Sequence, residues 1–164
     1  FVAPKYHYSY ADAYSNLGNV YFDQKDFNEA LLNYNESLKL KETELTYVLI
    51  GNTLAVKNDF NSAVKAYQSA LKLNPNYALA YFNLGLLNSQ KGNFDDALKQ
   101  FDKSIKIDPL FAEAYRNTAI IYYMTENFEQ SLFNFEKYYS LITDESIKAT
   151  VIQDINELKK KLNK

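Results

Sequence analysis

The chain has 164 residues, enough for one domain, with 47% hydrophobic residues and a net charge of −2. That balance lacks the basic footprint of a nucleic-acid binder. The absence of Cys excludes disulfides, thiolate zinc sites and a cysteine nucleophile, and no run of about 18 apolar residues is present to cross a membrane.

Residues 1–10, "FVAPKYHYSY", read as an N-terminal tail. They lack an initiating Met and a charged-then-apolar leader, which fits either a removed leader or a domain of a longer protein. The single His, His7, falls in this tail and reads as a surface residue. With no Cys beside it, the usual metal and nucleophile–base constellations have no members. No metal, cofactor or catalytic residue is expected, and the chain is not expected to be an enzyme.

From Ala11 onward the sequence repeats. Gly18, Gly51, Gly85 and Ala119 recur every 33 or 34 residues. Tyr14, Tyr47, Tyr81 and Tyr115 precede them by four positions. Phe27, Phe60, Phe94 and Phe128 follow, then Ala30, Ala63, Ala97 and Ser131, then Tyr34, Tyr67, Phe101 and Phe135. Each repeat reads as two helices. Tyr14, Leu17, Gly18 and Tyr21 share one face of the first; Phe27, Ala30, Leu31, Tyr34 and Leu38 share one face of the second. Asp26, Asp59, Asn93 and Asn127 are suited to cap the second helices. Asp26 with Glu29, and Asn127 with Gln130, have the spacing of capping boxes. Gly92 suits a left-handed turn before its cap, and Asn58 tolerates one. Pro75 and Pro109 end second helices, because the residue before Pro avoids the helical region. The small residues let the paired helices approach, and the aromatic rings fill the space beside them. The units are bounded at 11–43, 44–77, 78–111 and 112–144. A final helix, 145–164, carries Ile147, Val151, Ile155, Leu158 and Leu162 on one face, with the Lys159–Lys161 run as its solvated end. Tyr138 stands where the earlier units have Ser37, Ala70 and Ser104, so this last helix packs differently from a fifth repeat.

The stretch "AYFNLG…KGNFDDALKQFDKSIKIDP", Ala80 to Pro109, and its relatives starting at Ala11, Glu44 and Ala112 resemble the tetratricopeptide repeat (TPR) family. Tyr stands in place of the family's usual Trp in the first helix, Thr118 stands where Leu17, Ile50 and Leu84 stand, and Lys25 and Glu126 replace the turn Gly. The resemblance implies an all-α fold: a right-handed α-solenoid, or superhelix, of stacked antiparallel helix pairs closed by the C-terminal capping helix. Stacking matters because one helix pair cannot bury both of its apolar faces alone.

The resemblance also implies a protein–protein interaction scaffold or adaptor whose first helices line a concave groove. The candidate lining residues are Asn16, Asn19, Val48, Asn52, Phe82, Asn83, Leu86, Arg116, Asn117, Ile120 and Tyr123. Asn16, Asn83 and Asn117 occupy equivalent places, with Asn19 and Asn52 one turn on, and an amide grips a peptide backbone whatever its sequence. Val48, Val56, Phe82, Leu86 and Ile120 form an apolar strip of the kind that marks a binding surface. The expected ligand is an extended, partly apolar segment of a protein or peptide. The alternative is an accessory or self-associating module, a homo-oligomer assembled through convex or end surfaces. The family's carboxylate clamp is not expected, because its cationic places fall on Ser15, Leu79 and Asn83, or on Val48, Glu113 and Asn117 one unit later, so acidic C-terminal tails meet no paired charge. No nucleic-acid partner or membrane insertion is expected. The sequence does not fix a compartment; a soluble cytoplasmic location is favoured slightly over export.

Overall fold

The computed structural model describes residues 4–163, with side chains from residue 10 onward. These residues form helices α1 (Pro4–Asp23), α2 (Phe27–Leu40), α3 (Glu44–Val56), α4 (Phe60–Leu73), α5 (Ala78–Gln90), α6 (Phe94–Ile107), α7 (Ala112–Met124), α8 (Phe128–Leu141) and α9 (Glu145–Leu162), with no strand among them. The first helix runs back to Pro4, into the segment expected as a tail. Pro suits a first helical turn, where its missing N–H would have no intrahelical partner. The side chain of His7 lies outside the described residues. No described helix is long and apolar enough to cross a membrane.

Two compact units divide the chain, residues 1–83 and 84–164. In the first, α1 pairs with α2, α3 pairs with α4, and α2 packs on α3. The pairing depends on Gly18 and Gly51. A Cβ on Gly18 would lie 2.5 Å from Cε1 of the Tyr34 ring, and one on Gly51 would collide with the Tyr67 ring in the same way. Helix and ring therefore meet at a distance no larger residue allows. The core gathers Ala30, Tyr34, Ile50 and Ala66, flanked by Leu31, Leu38 and Leu54. Hydroxyls stitch its edge: Ser15 Oγ lies 2.7 Å from Ser37 Oγ and 3.3 Å from Thr46 Oγ1.

In the second unit, α6 packs on α7, α7 pairs with α8, and α8 packs on α9. Gly85 repeats the close approach, its Cβ position 2.5 Å from Cε1 of Phe101. Ala119, Phe135 and Tyr138 form one core with Val151, Ile155 and Leu158 of α9. Tyr138 thus fills the position expected to receive the closing helix. Of the predicted α9 face, Ile147 stays 43% exposed. Two lysines of the terminal run have partners: Lys159 pairs with Glu136 at 2.8 Å, and Lys161 with Glu157 at 3.5 Å.

The hairpin turns are uniform. Lys25, Asn58, Gly92 and Glu126 have φ of 62°, 62°, 76° and 60°. All four are left-handed, although only one is glycine, because the turn geometry is imposed by helices locked through their small-residue contacts. Asp26 and Asp59 accept from the backbone N–H groups of Glu29 and Ser62, each at 3.2 Å. The two asparagines make no such bond, so the capping box expected at Asn127 and Gln130 does not form. The backbone closes this turn as it does the others: Asn127 N–H donates to the Tyr122 carbonyl at 2.8 Å, just as Asp26 N–H donates to the Tyr21 carbonyl at 2.8 Å.

Candidate functional site

Asn19 and Asn52 directly follow the contact glycines of α1 and α3, and so point away from the α2 and α4 backbones. A tyrosine hydroxyl reaches each of them. Tyr34 donates to Asn19 Oδ1 at 2.8 Å, and Tyr67 donates to Asn52 Oδ1 at 2.8 Å. Both rings are almost fully buried. Burial, helped by the charge of Asp23, pushes the Tyr34 hydroxyl up to about 12. Burial alone raises Tyr67 further. Each hydroxyl therefore stays protonated and serves as a fixed donor. It holds one end of the amide and leaves Nδ2 to donate outward.

These two amides share a pocket of about 290 Å³ with Phe22, Asp23, Tyr34 and Leu49. Its walls are apolar, with two oriented amides and one carboxylate. It resembles the small-ligand or side-chain sites of proteins generally, mostly apolar with a few fixed polar groups. The chain carries the pairing as an internal rule. Where a repeat has Tyr34 or Tyr67 it has Asn19 or Asn52; where it has Phe101 or Phe135 it has Leu86 or Ile120. A ring hydroxyl without an amide oxygen nearby, or the reverse, would leave a polar group unmet beside the core.

The other predicted residues divide. Asn16 is exposed, while Phe82 and Leu86 of α5 are half-buried. Val48 is only 1% exposed and lies in the core, not in an open strip. At about 100° per residue it sits some 60° from Gly51, on the packed flank of α3. Asn83 is also buried, at 8% exposed, and its Nδ2 has no hydrogen-bond partner. Asn117 donates from Nδ2 to the Glu113 carbonyl of its own helix at 2.8 Å. The expected ladder of Asn16, Asn83 and Asn117 is therefore not a row of free amides. Asn117 satisfies itself on the preceding turn of its helix, whereas tyrosine hydroxyls hold the oxygens of Asn19 and Asn52.

In the second unit, Ile120 and Tyr123 line a pocket of about 260 Å³ with Phe135, Asp154, Glu157 and Leu158. Arg116 lines one of about 420 Å³ with Glu113, Tyr138, Ile147 and Asp154. Tyr123 is held at the rim, its hydroxyl 2.7 Å from Lys161 Nζ and 3.2 Å from Glu157 Oε1. The sequence pointed to these three residues but not to their α9 partners. Asp154 and Glu157 lie on the face of the closing helix expected to meet only solvent. No group of three or more His, Asp or Glu among the described residues is arranged to hold a metal ion.

The Tetratricopeptide repeat profile matches residues 11–44 and 78–111, and a second TPR repeat profile matches 51–92. No curated protein matches the chain significantly. Solved structures do. MamA shares 27% identity over 85% of this chain and 81% of its own, with a TM-score of 0.70. YrrB, described as a TPR protein with an unusual peptide-binding site, shares 29% identity over 87% and 74%, with a TM-score of 0.65. Pseudomonas aeruginosa pilF, at 17% identity over 96% and 71%, has a TM-score of 0.82 and speaks to the fold alone. Repeats of this family are generally non-enzymatic scaffolds that bind protein or peptide partners. Paired helices, contact glycines, profile matches and structural neighbours agree that this chain belongs to the tetratricopeptide repeat family.

Proposed function

We propose that the α1/α3 face of the first unit receives an extended, partly apolar peptide segment. The observation that carries this reading is the pair of tyrosine-held amides, Asn19 and Asn52, at one pocket. An amide fixed before binding loses little rotamer freedom on contact, so more of each hydrogen bond appears as affinity. Outward Nδ2 groups donate to peptide carbonyls, which every sequence offers, and Phe22 and Leu49 select for an apolar side chain between them. The peptide-binding neighbour YrrB supports the role in kind. In the second unit, Ile120, Tyr123 and Arg116, with Asp154 and Glu157, provide an apolar floor with a mixed-charge rim for the same class of ligand.

The test is selection of peptides from a displayed library against the intact chain, then titration of the selected peptides against Asn19→Ala/Asn52→Ala. Two lost hydrogen bonds at about 0.5–1.5 kcal/mol each predict a weakening of about 5- to 150-fold, with unchanged helicity. Unchanged affinity would remove the amides from the role. A stable oligomer that competes with peptide binding would favour the self-associating alternative.

A further inference from the structure

Asp23 ends α1 at the pocket of Asn19 and Asn52, and among the residues lining that pocket it alone is charged. It makes no ion pair among the described residues. Burial and, after it, the charge of Asp23 raise the Tyr34 hydroxyl, which sets the carboxylate near the ring that holds Asn19. Asp23 is exposed, whereas Asn19, Phe22, Leu49 and Asn52 are half-buried, so the carboxylate is open to an incoming group. The fold itself has no use for it. A carboxylate in the last turn opposes the dipole of its own helix, and α1 has no basic residue there to offset it. The equivalent places in the other repeats hold Val56, Gln90 and Met124, none of them charged. In the second unit the carboxylates at the pockets have cations at hand. Glu157 lies 3.5 Å from Lys161, Glu113 lies 3.8 Å from Arg116, and Asp154 shares a pocket with Arg116. The first-unit pocket instead presents an unanswered negative charge beside apolar walls.

We infer that the segment received at this pocket carries a lysine or arginine whose charged head meets Asp23 and whose alkyl stem lies on Phe22 and Leu49, which rests on the peptide-binding role proposed above. The apolar group between Phe22 and Leu49 is then the stem of a basic side chain. Lysine and arginine lay a hydrocarbon stem on apolar surface and keep the head in water. That matches half-buried apolar walls ending at an exposed carboxylate. Phe22 is a fixed wall, because its ring meets Phe27 edge to face with ring centres 5.5 Å apart. The polar groups divide the work. Tyr34 and Tyr67 occupy the oxygens of Asn19 and Asn52, each at 2.8 Å. The amides therefore present N–H donors, which suit peptide carbonyls and not a cationic head. Asp23 is left as the acceptor. An acidic side chain would be repelled by it, and a neutral one would gain nothing from it. Lysine and arginine share this chemistry, with arginine adding a planar fork that matches a carboxylate.

The experiment selects a displayed library of random heptapeptides against the intact chain and against Asp23→Lys. The wild type should enrich peptides with lysine or arginine at one place beside apolar residues, and Asp23→Lys should enrich aspartate or glutamate there. The enriched wild-type peptide is then titrated beside versions with lysine, arginine or norleucine at that place. Norleucine keeps a stem without the charge and should bind about three- to fivefold more weakly, a gap that closes in about 1 M salt. Asp23→Asn should bind the basic and norleucine peptides alike. It should also melt at or above the wild-type temperature, because a carboxylate opposing the helix dipole is gone; a lower melting temperature would assign Asp23 to the fold and count against the pairing. Two results would overturn the basic ligand alone: enriched peptides with no basic place, or a basic preference that survives in Asp23→Asn, in either case with affinity still lost in Asn19→Ala/Asn52→Ala. Peptides indifferent to that double variant, or no enrichment at all, would overturn the peptide role of this face as well.

Discussion

The Tyr67–Asn52 pair can be exchanged for the pair that the third hairpin uses at the same places, Phe101 and Leu86. Tyr67→Phe removes a hydroxyl that is 2.8 Å from Asn52 Oδ1 and leaves a half-buried carbonyl oxygen without its donor. The expected cost is about 1 kcal/mol. Asn52→Leu is worse, because it orphans a hydroxyl on a ring only 2% exposed; an unmet buried group costs about 1–3 kcal/mol. The double variant has neither polar group and fills the space with an apolar pair already tolerated elsewhere in the chain, so it should return to within about 0.5 kcal/mol of the wild type. The cycle thus predicts a coupling of about 1–3 kcal/mol. Urea unfolding followed by helical circular dichroism measures it, with equal m-values across the four proteins as the control. Peptide titration supplies the second readout, since the double variant should be folded yet weakened in binding. Additive single effects would refute the reasoning, for they would mean that hydroxyl and amide are not partners.

Two further expectations concern the same architecture. The Tyr34 and Tyr67 hydroxyls are uncharged in the fold and held above the ordinary tyrosine value, Tyr34 to about 12. Their contribution is therefore complete below the unfolded value of about 10 and is lost as pH rises through about 12. Thermal melts across that window should fall steeply for the wild type and less so for Tyr34→Phe/Tyr67→Phe; parallel curves would exclude these two groups as the cause. In the turns, Lys25→Gly and Glu126→Gly each relieve a left-handed residue and should add about 0.5–1 kcal/mol. Gly92→Ala should cost about 1 kcal/mol through backbone conformation alone, because its Cβ would meet nothing within 4 Å. Equal stabilities at chemical denaturation would show that the turns carry no strain.

Much of this molecule is legible in its residues. The recurring Gly18, Gly51 and Gly85, the aromatic rings sixteen positions on, and the capping aspartates define the hairpins, because each acts within one repeat and so leaves a periodic trace. The candidate site was harder to see. Asn16, Asn19, Asn52, Asn83 and Asn117 look alike in a sequence. What separates them is whether a hydroxyl from the second helix arrives to hold the oxygen, as Tyr34 and Tyr67 do, or whether the amide turns back on the carbonyl of the preceding turn, as Asn117 does. The same limit placed Val48 in an open strip. Its neighbours along the helix are known from the sequence, but the flank it shares with the core is not.

The sequence by itself determined the repeat length, the helix pairs, their turns and the closing helix, since these follow from local spacing and from contacts that every repeat makes alike. Only the tertiary structure decided which polar groups are free to bind. That depends on what each side chain meets from another helix: a tyrosine hydroxyl for Asn52, and the α9 carboxylates for Ile120 and Tyr123.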